Sequence, residues 1–176
     1  MMQLSFFTDK GFRISWTLVD IGFLGSQEFK NELSIKEVCK YARTLLMEQK
    51  HPDDLLIEFE WESYLDEGIV DEYIKRLVKK ENISRELEYR KWRVVYVAKM
   101  IELLPKDPLY GLLGLGEIWL KMNNPSDMPH IIQGVGNTIG PVDYYTKKNY
   151  DDLLQKHYEW LGNETQEIIN IQNQVN

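Results

Sequence analysis

The chain has 176 residues with 43% apolar, 12% aromatic and 28% charged side chains, and a formal charge of −7. That length and composition describe one globular domain with a real core and exclude a disordered chain. The negative charge opposes nucleic-acid binding, which needs clustered Lys and Arg to neutralise phosphate, and favours a basic protein partner. No apolar run approaches the roughly 18 residues that span a bilayer, and the opening "MMQLSFFTDKGF" lacks a signal-peptide pattern, so a cytoplasmic protein with no membrane contact is expected. Cys39 stands alone, which rules out an intrachain disulfide and a thiolate zinc cluster within one chain.

After a short irregular or extended N-terminus, "RISWTLVDIGFLG" places Ile14, Leu18, Ile21 and Leu24 at helical spacing, with Ser15 as N-cap and Gly25 as stop. "SIKEVCKYARTLLMEQK" is the clearest helix. Ser34 and Glu37 form an S-x-x-E capping box, and Ile35, Val38, Cys39, Ala42, Leu45 and Leu46 follow on one face. "HPDDLLIEFEWESYL" predicts a third helix with Pro52 at its first position and Leu55, Leu56 and Phe59 inward. A fourth follows Gly68, with Ile69, Val70, Tyr73, Ile74, Leu77 and Val78 on its stripe.

Ser84 to Leu104 runs without Gly or Pro and reads as the long central helix. Asp107 then caps a helix with Pro108 at its first position. Glycines 111, 114 and 116 each cost that helix about 1 kcal/mol relative to alanine, which predicts close approach of a neighbour. "NPSDMPHIIQ" repeats the Asn-Pro start signal and predicts a short helix over Pro125 to Ile132. The last helix starts near Asn149, with Leu153, Leu154, His157 and Leu161 on a face, and either continues or frays after Gly162. No stretch alternates apolar and polar residues for long enough to compel a sheet. The fold class expected is therefore all-α, an irregular bundle of seven or eight helices in one domain, with an N-terminal part over about 12–80 and a C-terminal part over about 84–173.

Chemistry leaves few signatures. His51, His130 and His157 lie far apart with no H-E-x-x-H spacing, so no metal and no cofactor is expected. "QGVGNTIGP", Gln133 to Pro141, carries three glycines, but a phosphate loop must follow a strand and open a helix or end in G-K-[ST]; this stretch does neither and reads as a connector. The segment from Glu58 to Glu72 is different. It contains no lysine or arginine, and it interleaves Glu58, Glu60, Glu62, Asp66, Glu67, Asp71 and Glu72 with Phe59, Trp61 and Tyr64. Aromatic side chains anchor protein interfaces and carboxylates attract a basic partner, so these ten residues are the candidate partner-binding set. An enzyme site assembled around His157 with Asp151 or Asp152 is the alternative, and a protein-interaction scaffold a third reading.

The order of pieces resembles a bacterial family designated domain of unknown function 2247. The resemblance rests on "SWTLVDIGF" with Trp16, Leu18, Asp20 and Ile21. It continues in "YRKWRVVYVAKMIELLPKDPL" with Lys91, Trp92, Asp107, Pro108 and Leu109, and in "GEIWLKMNNPSDMPHII" with Glu117, Ile118, Trp119, Pro125 and Asp127. It implies an all-helical protein found beside bacterial polymorphic toxins, acting as a non-enzymatic immunity protein that neutralises a basic toxin domain. It carries over no catalytic residue.

Overall fold

A computed structural model describes residues 1–48, 50, 53–62 and 66–174, for 60–62 the backbone alone. The described residues form helices joined by turns, with no strand among them. Their close contacts fall into two units. Unit 1 holds Met1–Arg93 together with the end of the last helix from Ile171, and unit 2 holds Val94–Asn170.

Unit 1 begins with one helical turn, α1 (Ser5–Thr8), inside the irregular N-terminus; it buries Phe7 against the edge of Trp92. α2 (Trp16–Asp20) starts where expected, because the Ser15 hydroxyl accepts from the Leu18 N–H at 3.0 Å. From Ile21 to Gly25 the helix widens into a π turn. A Cβ at Gly25 would overlap the Asp20 carboxylate, and one at Gly22 would overlap the Trp92 ring, so only glycine permits both approaches.

α3 (Ile35–Glu48) is capped by half of the expected box. The Ser34 hydroxyl accepts from the Glu37 N–H, but the Glu37 carboxylate accepts from the Leu4 N–H at 3.1 Å and so ties down the N-terminus. α4 (Asp54–Glu62) is capped by Asp53, which accepts from the Leu55 N–H at 2.8 Å. Pro52, expected at its first position, lies outside the described residues. Leu55, Leu56 and Phe59 point inward as the spacing requires. α5 (Glu67–Val78) is capped by Asp66 on the Gly68 N–H and buries Val70, Tyr73, Ile74 and Leu77. α5 packs against α2 and α4, and α3 packs against α4.

α6 (Arg85–Glu102) is the long helix read from the sequence. Its first half gives unit 1 the buried Trp92, whose indole N–H donates to the Leu18 carbonyl at 2.8 Å; its second half gives unit 2 Val94, Val95 and Val97. α7 (Pro108–Leu120) starts on the Asp107 cap and Pro108. Gly111 admits the Tyr150 ring and Gly114 the Leu104 side chain.

The helix expected over Pro125 to Ile132 is absent; that stretch is turn and extended chain. Asn123 and Asn124 take left-handed φ values of 59° and 47°, and the Asn124 N–H returns to the Trp119 carbonyl to close α7. An N-cap needs extended backbone, so Asn124 cannot start a new helix, and Pro129 would remove the donor for its first turn. α8 (Pro141–Tyr144) is a single turn, and α9 (Lys147–Gln174) runs for 28 residues straight through Gly162. Its buried stripe explains that continuity. Leu153, His157, Leu161, Glu164, Ile168 and Gln172 recur every three or four residues across the glycine. Burying a side chain the size of Ile168 is worth about 1.5–3 kcal/mol, more than the roughly 1 kcal/mol that the glycine costs.

Candidate functional site

The acidic and aromatic segment is only partly a surface. Phe59 is fully buried between Trp16 and Tyr73, ring centroids 5.8 and 5.6 Å away, so its contribution is to the core and not to a contact face. Glu58, Asp66, Glu67 and Glu72 are exposed. Several of the acids have partners already: Glu58 faces Arg76 at 3.8 Å, Asp71 takes Lys75, and Asp66 caps α5. Just before the segment, the Lys80 ammonium holds the Asp53 carboxyl below its usual range. Tyr64 lies outside the described residues, as do the side chains of Glu60, Trp61 and Glu62. Sequence spacing within the segment hid these pairings because the cations involved follow it, Lys75 and Arg76 late in α5 and Lys80 just beyond.

His157 sits in unit 2 as a core residue. The Trp119 indole N–H donates to its Nε2 at 2.7 Å, so that nitrogen is an acceptor; the proton is on Nδ1, which donates to the Leu153 carbonyl at 2.6 Å. Both nitrogens are satisfied and the ring is neutral, with burial pushing its pKa down against the opposing pull of the Leu153 carbonyl. The neighbouring acids do not join it: Asp151 and Asp152 are exposed, and Asp151 pairs with Lys147. A general base must reach the proton it removes, and His157 has no exposed surface.

His130 lies beside it, ring centroids 5.8 Å apart. The Tyr144 hydroxyl donates to the Ile131 carbonyl at 2.6 Å and faces His130 Nε2 at 3.3 Å, while His130 Nδ1 is buried with no hydrogen-bond partner among the described residues. Burial, then the neighbouring His157, lowers the His130 pKa to about 4. Among the described residues no cluster of three or more His, Cys, Asp or Glu side chains could hold a metal ion.

The glycine loop is tied to itself. Gly134 and Gly136 adopt φ values of 76° and 67°, and Asn137 spans the turn. Its Oδ1 accepts from the Gly134 and Ile139 N–H groups, and its Nδ2 donates to the Ile132 and Val135 carbonyls. Two of the backbone donors that would cradle a phosphate are already occupied.

Two features escaped the sequence reading. One is the outer face of α7. Leu109, Leu113 and Leu120, at i, i+4 and i+11, are exposed together with Tyr110, which is 62% accessible; Glu117 is the one charge on that helix. The signal was there, since α7 is apolar nearly all round, a pattern that normally means complete burial.

The other is a cavity of about 820 Å³ in unit 1, where the start of α2, the turn between α5 and α6, the first turns of α6 and the end of α9 meet. On its wall Glu88 and Lys91 form an ion pair at 2.6 Å, each less than 5% exposed. Lys91 also donates to the Arg13 carbonyl. Glu88 Oε2 has no hydrogen-bond partner of its own among the described residues, and burial raises the carboxyl pKa against the pulls of Lys91 and of the Ser15 hydroxyl beside it. Glu81, on the same wall, caps α2 by accepting from the Trp16 and Thr17 N–H groups at 2.8 and 2.9 Å. Spacing gave no warning, because Glu88 and Lys91 look like a surface i, i+3 pair and the other walls come from distant segments.

Against known proteins, a family model described as an uncharacterised protein conserved in bacteria, DUF2247, matches residues 4–165. No curated protein and no solved structure matches.

Proposed function

Because the chain belongs to the uncharacterised bacterial family DUF2247, we propose a function its own surface supports: it is a non-enzymatic binding protein, an immunity protein that occupies and neutralises a basic toxin domain. The observation that carries the binding reading is the exposed apolar face of α7. Four large apolar side chains, Leu109, Tyr110, Leu113 and Leu120, stand in solvent on one helix. Soluble proteins rarely leave such a patch uncovered unless something docks on it. The net charge of −7 supports a basic partner. The exposed carboxylates Glu58, Glu67 and Glu72 of unit 1, with Phe59 removed from the set, attract a basic partner during its approach.

Support for a toxin comes from the family resemblance. The test is co-expression with the C-terminal domain of the secreted protein that this reading expects to be encoded beside the gene, followed by purification and titration of the pair; a neighbourhood without such a protein counts against the reading. A stable complex that suppresses the toxin supports the reading. Leu113→Glu should weaken binding at least tenfold, whereas Glu58→Lys with Glu72→Lys should slow association most at low salt. Failure of the chain to bind or to protect cells from that toxin overturns the reading.

A further inference from the structure

The outer face of α7 has a charge pattern as well as an apolar one. At 3.6 residues per turn, Leu109, Leu113 and Leu120 fall within about 40° of one another, and Tyr110 and Glu117 lie together on one flank of that strip. The Glu117 carboxylate is exposed and has neither hydrogen bond nor ion pair among the described residues. At the other end of the helix Lys106, just before the Asp107 cap, is exposed and unpaired among the described residues in the same way. Roughly 15 Å of helix lies between the two, so they cannot answer each other within one chain.

A partner that answers both needs an apolar strip of the same length, with a cation where Glu117 arrives and an anion where Lys106 arrives. α7 itself is such a partner when turned end for end. In a two-fold antiparallel pair like flanks meet, so Glu117 of each copy faces Lys106 of the other. The same register sets Leu113 of one copy on Tyr110 of the other, and Leu120 on Leu103, which is exposed in the turn before α7. Glu117 also comes to the positive N-terminal end of the opposing helix, where the Asp107 carboxylate is engaged by the Tyr110 N–H at 3.1 Å. A parallel pair would instead set the two Glu117 carboxylates side by side. We propose that α7 is a self-association surface, closed in the free protein by an antiparallel contact with a second copy of this chain. The inference rests on the reading of α7 as a docking face and adds its regulation, since a toxin reaches that face only as the dimer parts. A contact one helix wide stays near or below about 1,200 Å² in total, the small end of specific interfaces, so the dimer is weak, with a Kd on the order of micromolar.

The test is sedimentation equilibrium of the full-length chain, purified alone, from about 1 μM to about 1 mM. The expected result is a reversible monomer–dimer equilibrium. Leu113→Glu should keep the chain monomeric across that range; because Leu113 is exposed, the circular dichroism spectrum and thermal midpoint of this variant should match the parent's. Glu117→Lys and Lys106→Glu should each weaken association at least tenfold, since each sets like charges opposite. Mixed in equal amounts, the two variants should associate about as tightly as the parent, because each chain supplies the charge the other lacks. So should both substitutions in one chain, whose net charge is still −7. A parent that is monomeric at about 1 mM overturns the proposal. So does a dimer that survives Leu113→Glu, or failure of the mixture and of the double variant to recover. Toxin titration separates this result from the reading it rests on. A monomeric parent whose toxin affinity falls in Leu113→Glu sinks the dimer alone, whereas a dimer whose toxin affinity is unchanged by that substitution supports the second copy and sinks only the toxin's place on α7.

Discussion

Both units bury ionisable groups, but the most enclosed of them are in opposite chemical forms. Unit 1 places a charged pair, Glu88 with Lys91, in its interior, whereas unit 2 buries two imidazoles, His130 and His157, in the neutral state. The neutral solution closes on itself at His157, where Trp119 and Leu153 satisfy both nitrogens. The charged solution is less complete, because Lys91 answers Glu88 Oε1 while the enclosed Oε2 has no hydrogen bond of its own among the described residues. A buried titratable residue is therefore a poor guide to function by itself. What distinguishes the two regions is the charge state of the buried groups, since each region leaves a polar atom without a partner among the described residues, Glu88 Oε2 in one and His130 Nδ1 in the other.

The sharpest way to break this contrast is to remove one member of the pair. Lys91→Met leaves Glu88 buried beside no cation and should cost about 3–5 kcal/mol of unfolding free energy, measured by urea denaturation at pH 7. Replacing both partners together, with Glu88→Met added, should recover most of that loss, because apolar pairs of similar volume often match a buried ion pair. If the single variant is as stable as the parent, the interior charge is solvated and the comparison fails.

The histidines give the next effect through pH. His130 has a folded pKa of about 4 against an ordinary 6.5, so the folded state disfavours its protonation. The stability this neutral ring contributes is fully present above pH 6.5 and is lost as pH falls from 6.5 toward 4, by about 3 kcal/mol in all. His157 adds to the loss in the same direction. Glu88 works the other way, since its raised pKa means that acidification relieves the burial of its charge. His130→Leu should flatten the decline between pH 6.5 and 4 in thermal melts followed at several pH values. An unchanged slope would show that the acid sensitivity lies outside this pair.

The helices were legible in the sequence wherever a local rule decided them. Ser15, Asp107 and Pro108 start their helices as the capping rules require, and the stripe of α5 follows the apolar spacing. Long-range contact decided the rest. Asn124 and Pro125 carry a start signal that the left-handed turn after Trp119 overrides, and α9 crosses Gly162 because its buried stripe continues beyond. The sites were less legible than the helices. Phe59 read as an interface anchor because its neighbours are acidic, whereas Trp16 and Tyr73, distant in sequence, enclose it. The cavity was invisible for the same reason, its walls coming from residues 13–15, 81–91 and 171–172. Even the residues behind the family resemblance are largely builders of the interior: Trp92 and Trp119 are fully buried and Lys91 serves the ion pair.

Two glycines within unit 2 test the same lesson, that unfilled space and filled space look alike in sequence. Gly111 lies under the Tyr150 ring, whose hydroxyl donates to the Pro105 carbonyl at 2.9 Å, so the ring is held in place and cannot swing aside cheaply. Gly111→Ala should cost about 1–3 kcal/mol through overpacking, in spite of the gain in helix propensity. Gly162 is the opposite case. Nothing lies within 4 Å of a Cβ built there, and the backbone is already helical. Gly162→Ala should therefore stabilise the protein by about 0.5–1 kcal/mol, chiefly by restricting the unfolded chain. Because α9 contributes residues to both units, the gain can be read at each: hydrogen exchange should slow at Ile168 in unit 2 and at Gln172 in unit 1. Slowing at Ile168 alone would mean that the two units open independently, and that the charged and neutral interiors are separate problems of stability.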